Sequence, residues 1–230
     1  MYTARMQLYP VFLSLKSCKV LVVGAGAVGK RKITSLCAAE AGNILVLDPV
    51  LSSESLVALN AMPNVVAIAR RAVKTDIVGR QLVFAATGDG EENARLAALC
   101  LLCNVFCNVA DDPDAGSFHV PAMASVNGLT LAVSTGGMSP ALAKRVRMEA
   151  SAWMETTYGP LAMLLGKLRP LVLAQGGETE AHSRVFRAVA YSQLGVLLQN
   201  GRIDAARGLL HTLLPETLHE HIEELLNGLF

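Results

Sequence analysis

Aromatic residues are scarce, at 5% of the 230 residues with a single tryptophan. Their scarcity argues against the stacking platforms on which single-stranded nucleic acid is held. Neither sign of charge is in excess, with 20 Lys and Arg against 19 Asp and Glu. A nucleic-acid binder needs a basic surplus, so no nucleic-acid partner is expected. Long apolar runs are missing as well. The most apolar stretch, 94–110, is interrupted by Arg95, Asn104 and Asn108, short of the roughly 20 residues a membrane-spanning helix needs. The amino-terminal MYTARMQLYP lacks the apolar core of a secretory signal. No membrane partner and a cytoplasmic location are therefore expected.

Cysteine is sparse and odd in number: Cys18, Cys37, Cys100, Cys103 and Cys107. That count does not make a disulfide framework. The spacing of the last three could suit a metal, yet their neighbours are Ala, Leu, Val and Phe, with no fourth Cys or His close by. They read as small buried residues, and no metal site is expected.

What is present is enough apolar material for a sizeable core, 52% hydrophobic against 17% charged residues. Over the first 113 residues short apolar runs alternate with helix-like segments. The runs are Lys19–Val23, Asn43–Asp48, Val65–Ala69, Gln81–Ala86 and Val105–Ala110, and the helix-like segments include Lys30–Ala39 and Glu91–Leu102. Continuous apolar strands separated by helices predict an α/β fold with a Rossmann-type parallel sheet covered on both faces. After Pro113 the character changes. Leu129–Val133 reads as a strand, Ser139-Pro140 as a helix start with a serine cap and proline at the first position, and the rest as helices. Gly159-Pro160, Gly176-Gly177 and Asn200-Gly201 break these helices, and Pro215 begins a last short one.

Gly24-Ala25-Gly26-Ala27-Val28-Gly29 follows the first run directly and opens a helix. In that context each glycine has a task. Gly24 makes the tight turn, Gly26 admits a pyrophosphate to the backbone, and Gly29 lets helix and strand close up. Asp48 ends the second run about 20 residues on, where an acidic side chain accepts from the adenosine ribose and repels a 2′-phosphate. NAD is thus the expected cofactor. Lys30, Arg31 and Lys32 follow the motif, and cations in a first helical turn oppose the helix dipole. They fit either a nearby anion or side chains reaching to solvent.

Tyr9–Leu15 (YPVFLSL), VLVVGAGAVGKRK, Ala85–Asn93 (AATGDGEEN), Asn108–Ala122 (NVADDPDAGSFHVPA) and Ala132–Arg147 (AVSTGGMSPALAKRVR) together resemble the precorrin-2 dehydrogenase family, including the corresponding part of multifunctional siroheme synthases. The likeness is nearly continuous from Tyr9 to about Arg147. The family's usual GGG start is Gly24-Ala25-Gly26 here, and glycine stands at position 29 where alanine is frequent.

The resemblance implies NAD-dependent oxidation of precorrin-2 to sirohydrochlorin. Some relatives also insert ferrous iron, and that bifunctional enzyme is the alternative. A non-catalytic NAD-sensing module would explain the glycine loop but not the segment 108–147. The implied organisation is an NAD-binding Rossmann domain over 1–113, a dimerisation segment over 114–147 and a helical domain over 148–230, with a homodimer as the assembly and no room for a methyltransferase domain. Implied cofactor contacts are Ala27, Val28, Asp48, Pro49, Val50 and Thr87. The residue tied to activity is Asp111, expected at the carboxyl end of the fifth strand, the ligand-binding edge of such a sheet. A polycarboxylate substrate calls for cations and a free helix start. Ser139, Lys144, Arg145 and Arg147 fit that need, and His119 lies between the Asp111 loop and Pro121.

Overall fold

The computed structural model describes residues 8–229, so part of the amino-terminal reading falls outside the described residues. The chain divides after Val120 into two units. The first is built from β1 (Lys19–Val23), α1 (Ala27–Ala38), β2 (Asn43–Leu47), α2 (Ser53–Asn60), β3 (Val65–Ile68), α3 (Lys74–Ile77), β4 (Leu82–Ala85), α4 (Gly90–Leu102) and β5 (Phe106–Val109). The five strands form one sheet in the order β3-β2-β1-β4-β5, and every pairing is parallel.

The apolar runs are continuous because the sheet has a core on each face. Val20, Val22, Ile44, Val46 and Phe84 pack with Ile33 and Leu36 of α1 and Leu59 of α2. The intervening Leu21, Val23, Leu45, Leu47 and Val83 pack with Ile77 of α3 and Leu96 and Cys100 of α4. Cys100 and Cys107 are thus core residues of that second face, and all five cysteines are free thiols. Strand order reverses between β1 and β4, which opens a crevice at their carboxyl ends.

The chain leaves β5 at Val109 and comes back along it. Ser117 N–H donates to Cys107 O at 2.8 Å, Ser117 Oγ accepts from Cys107 N–H at 2.8 Å, and Asn108 Nδ2 donates to Phe118 O at 3.0 Å. Phe118 sits edge-on against Phe84 with centroids 5.3 Å apart. These ties pin both ends of the loop that carries Asp111. They also keep the chain in the first unit past residue 113, where the sequence suggested a boundary.

The second unit holds an antiparallel hairpin, β6 (Ala122–Val126) and β7 (Leu129–Val133). Asn127 and Gly128 turn it with φ of 48° and 81°, the geometry of a type I′ turn. Helices α5 (Pro140–Thr157), α6 (Gly159–Ala174), α7 (Thr179–Ala190), α8 (Leu194–Gln199), α9 (Ile203–Leu213) and α10 (Ile222–Leu226) follow. Their core gathers Leu164, Leu168, Val189, Leu194, Leu210 and Ile222. Helix α5 runs without interruption across position 147. Among the described residues no helix is long and apolar enough to cross a membrane.

Candidate functional site

A crevice of about 360 Å³ opens at the carboxyl ends of β1, β2 and β4, entirely within the first unit. Val23, Gly24 and Gly26 form one wall, Asp48–Val50 another, and Ala86–Asp89 a third. Arg71, Ala72 and Glu92 complete it. The sequence pattern did not single these last three out; the Asp48 and Thr87 walls bring them in by closure of the sheet.

The glycine loop is built for close approach. Gly24 has φ +94°, and a Cβ there would collide with Ala86 O and lie 2.8 Å from Thr87 N. A Cβ on Gly29 would run into Gly24 O, so only glycine lets α1 start this close to β1. At Gly26 a Cβ would meet nothing within 4 Å, which leaves open space over the start of α1. That helix start is also uncapped. Gly26 offers no side chain to its first N–H groups and the first turn holds no acid, whereas α2, α4 and α5 are capped by Ser52, Asp89 and Ser139. The N–H groups of Ala27, Val28 and Gly29 are therefore left for an external anion at the positive end of the helix. The donor set and the open space both fit a dinucleotide pyrophosphate.

Asp48 does more than line the second wall. Its Oδ2 accepts from Ala25 N–H at 2.7 Å and its Oδ1 from Val50 N–H at 2.9 Å. The carboxylate fastens the end of β2 to the glycine loop, and each oxygen keeps lone-pair capacity for a ribose hydroxyl. The three cations after the motif stay out of the crevice. Lys30 borders a separate groove of about 410 Å³ between α1 and α2. Lys32 lies with Nζ 5.6 Å over the Phe84 ring, and burial, helped by neighbouring Arg31, pulls its ammonium below the usual lysine range.

Asp111 lies just past β5 on the strand-end edge of the sheet. Its Oδ1 accepts from Asn93 Nδ2 at 2.7 Å. Asn93 is wholly buried, and its Oδ1 accepts from Thr87 N–H at 3.1 Å and from Thr87 Oγ1 at 2.7 Å. One amide thus links the Asp111 carboxylate to the Thr87 wall of the crevice. Sequence reading overlooked Asn93. Its signal was position: it shares the buried face of α4 with Leu96 and Cys100, where an amide has to be answered by a partner.

The remaining expected site residues are dispersed. His119 is half-buried, and its Nε2 is buried with no hydrogen-bond partner among the described residues. Ser139 belongs to the second unit, where its Oγ accepts from Leu142 N–H at 3.2 Å and caps α5. Lys144 and Arg145 are exposed and Arg147 is half-buried on that helix. Arg145 Nε donates to Glu149 at 2.8 Å, so this cation is already paired. Among the described residues no three His, Cys, Asp or Glu side chains are grouped to hold a metal.

Residues 11–122 match a family described as "Putative NAD(P)-binding", and residues 127–149 match one described as "Sirohaem biosynthesis protein central". Siroheme synthase of Thioalkalivibrio sulfidiphilus is 36% identical over 91% of this chain. Over most of its length the chain is thus similar to siroheme synthases. Siroheme synthase 1 of Aeromonas salmonicida is 32% identical over 97% of the chain. This chain spans less than half the length of these relatives, 42% and 47%. In fold the chain resembles the solved structure named "SirC, precorrin-2 dehydrogenase", with a TM-score of 0.69 at 24% identity, covering 90% of this chain and 98% of that one.

Proposed function

We propose that this chain oxidises precorrin-2 to sirohydrochlorin with NAD as the acceptor. The observation that carries the proposal is the joining of an ionisable carboxylate, Asp111, to the wall of a glycine-loop crevice through a single buried amide. The net step removes a hydride and a proton from the reduced macrocycle and yields sirohydrochlorin, NADH and H⁺. NAD, when bound, supplies the hydride acceptor.

The residues supply the rest. Gly24, Gly26 and Gly29 bring the start of α1 against the pyrophosphate, with Ala27 and Val28 donating N–H groups, while Asp48, Pro49, Val50 and Thr87 border the rest of the dinucleotide. An acid at Asp48 disfavours a 2′-phosphate and so favours NAD. Asp111 takes the proton as general base and helps orient the macrocycle. Ser139, Lys144, Arg145, Arg147 and His119 are proposed to meet the substrate's carboxylates. Asp111→Asn should lower the rate of NADH formation from precorrin-2 by at least about a hundredfold, the usual scale of a general base. NAD affinity should stay unchanged; a wild-type rate would remove Asp111 from the mechanism.

A homodimer in the cytoplasm completes the proposal. Leu142, Val146 and Trp153 lie exposed along one stripe of α5, a surface suited to association. Sedimentation at micromolar concentration should give twice the chain mass. Five unpaired thiols suit a reducing compartment.

A further inference from the structure

Asn93 is saturated. Its Oδ1 takes the Thr87 N–H at 3.1 Å and faces the Thr87 hydroxyl at 2.7 Å. Its Nδ2 gives one hydrogen to Thr87 O at 3.3 Å and the other to Asp111 Oδ1 at 2.7 Å. The reverse orientation of the amide is excluded, because it would turn an oxygen toward two acceptors and an NH₂ toward a backbone N–H. Thr87 therefore dictates which end of Asn93 meets Asp111, and that end is a donor. Asp111 Oδ1 must be an acceptor while this contact stands. The other oxygen, Oδ2, makes no hydrogen bond among the described residues, and it lies where a Cβ on Gly90 would come within 3.2 Å.

We infer that Asn93 is the positioning residue of Asp111. It reserves Oδ1 as an acceptor, so the proton released in the dehydrogenation goes to Oδ2, and glycine at position 90 keeps the approach to that oxygen clear. The inference rests on the reading of Asp111 as base. It adds which oxygen accepts the proton, what holds the carboxylate, and why the first turn of α4 begins with glycine. Because Thr87 borders the crevice, the same amide holds the carboxylate in fixed register with the cofactor wall.

Asn93→Asp separates this role from that of a core residue. The new carboxylate keeps an oxygen for Thr87 N–H and Oγ–H but sets a second oxygen against Asp111 Oδ1. With NAD and precorrin-2 on the full chain, kcat should fall about tenfold or more, the scale of one charge-assisted hydrogen bond. NAD affinity should stay within about twofold, since the retained Thr87 contacts keep that wall of the crevice in place. Gly90→Ala leaves Asn93 untouched and crowds Oδ2 directly; it should lower kcat several-fold, again with NAD affinity retained. If Asn93→Asp does not fold, as judged by its melting curve, Gly90→Ala decides. The inference is overturned if the deciding variant keeps the wild-type kcat, or if NAD affinity falls in step with the rate, which is what a merely structural role gives. A wild-type rate in Asp111→Asn is a different failure: it removes the base itself, whatever Asn93 does.

Discussion

Single residues decide whether this crevice can receive a dinucleotide. Gly24 combines a left-handed backbone with backbone atoms of Ala86 and Thr87 in the space a side chain would need. Gly24→Ala should therefore abolish measurable NAD binding, followed by calorimetry, and should lower stability by more than about 1 kcal/mol, since alanine at positive φ is strained even before the clash. The glycines and Asp48 stood out in the sequence because each sits at a fixed offset from an apolar run, whereas Asp111 was singled out by the family resemblance. Asn93 was not, because a buried amide in a helix leaves no periodicity of its own. Arg71 was not either, since only the folded sheet brings the segment after β3 to the crevice.

At the scale of elements, legibility followed length and continuity. The strands of the first unit were readable as apolar runs, and α1 and α4 as the amphipathic segments between them. The four-residue α3 is too short to carry a helical period. Its anchor is electrostatic. Asp76 accepts from both guanidinium nitrogens of Arg70 at 2.7 Å and from Val73 N–H at 2.9 Å. The Arg70 hydrogen bonds, against an opposing burial cost, hold the Asp76 carboxyl below the usual carboxylate range. A group depressed in the folded state stabilises fully above its unfolded value of about 3.9 and stops doing so as the pH falls through its folded value. Asp76→Asn should therefore cost about 1 kcal/mol at pH 7, a figure kept low because Arg70 is part-exposed. The difference from wild type in urea unfolding should shrink steadily below about pH 4. In the second unit β6 escaped notice because Ala122–Val126 is only half-buried, although the Asn127-Gly128 pair after it is a strong hairpin signal.

At the scale of the whole molecule each unit has its own hydrophobic interior, on both faces of the sheet in the first and among helices in the second, and the crevice is lined by residues of the first unit. Leu164 is fully buried in the helical core. Leu164→Ala should cost about 2–5 kcal/mol in chemical denaturation while leaving the NAD dissociation constant of the folded protein unchanged. A parallel loss of NAD affinity would show that the two units are energetically joined. The family resemblance implied three parts; by contacts the chain forms two units, with Ser117 and Phe118 fastening the loop after β5 back onto the sheet.

The clasp formed by Asp48 has a consequence for any attempt to retune coenzyme preference. Exchanging that acid for a neutral or basic residue, the obvious first step toward accepting a phosphorylated ribose, would also unfasten the end of β2 from Ala25 and loosen the turn on which the diphosphate rests. Selectivity and scaffold share one side chain here, so a change of coenzyme needs a second mutation that re-ties the turn before the first can be of use.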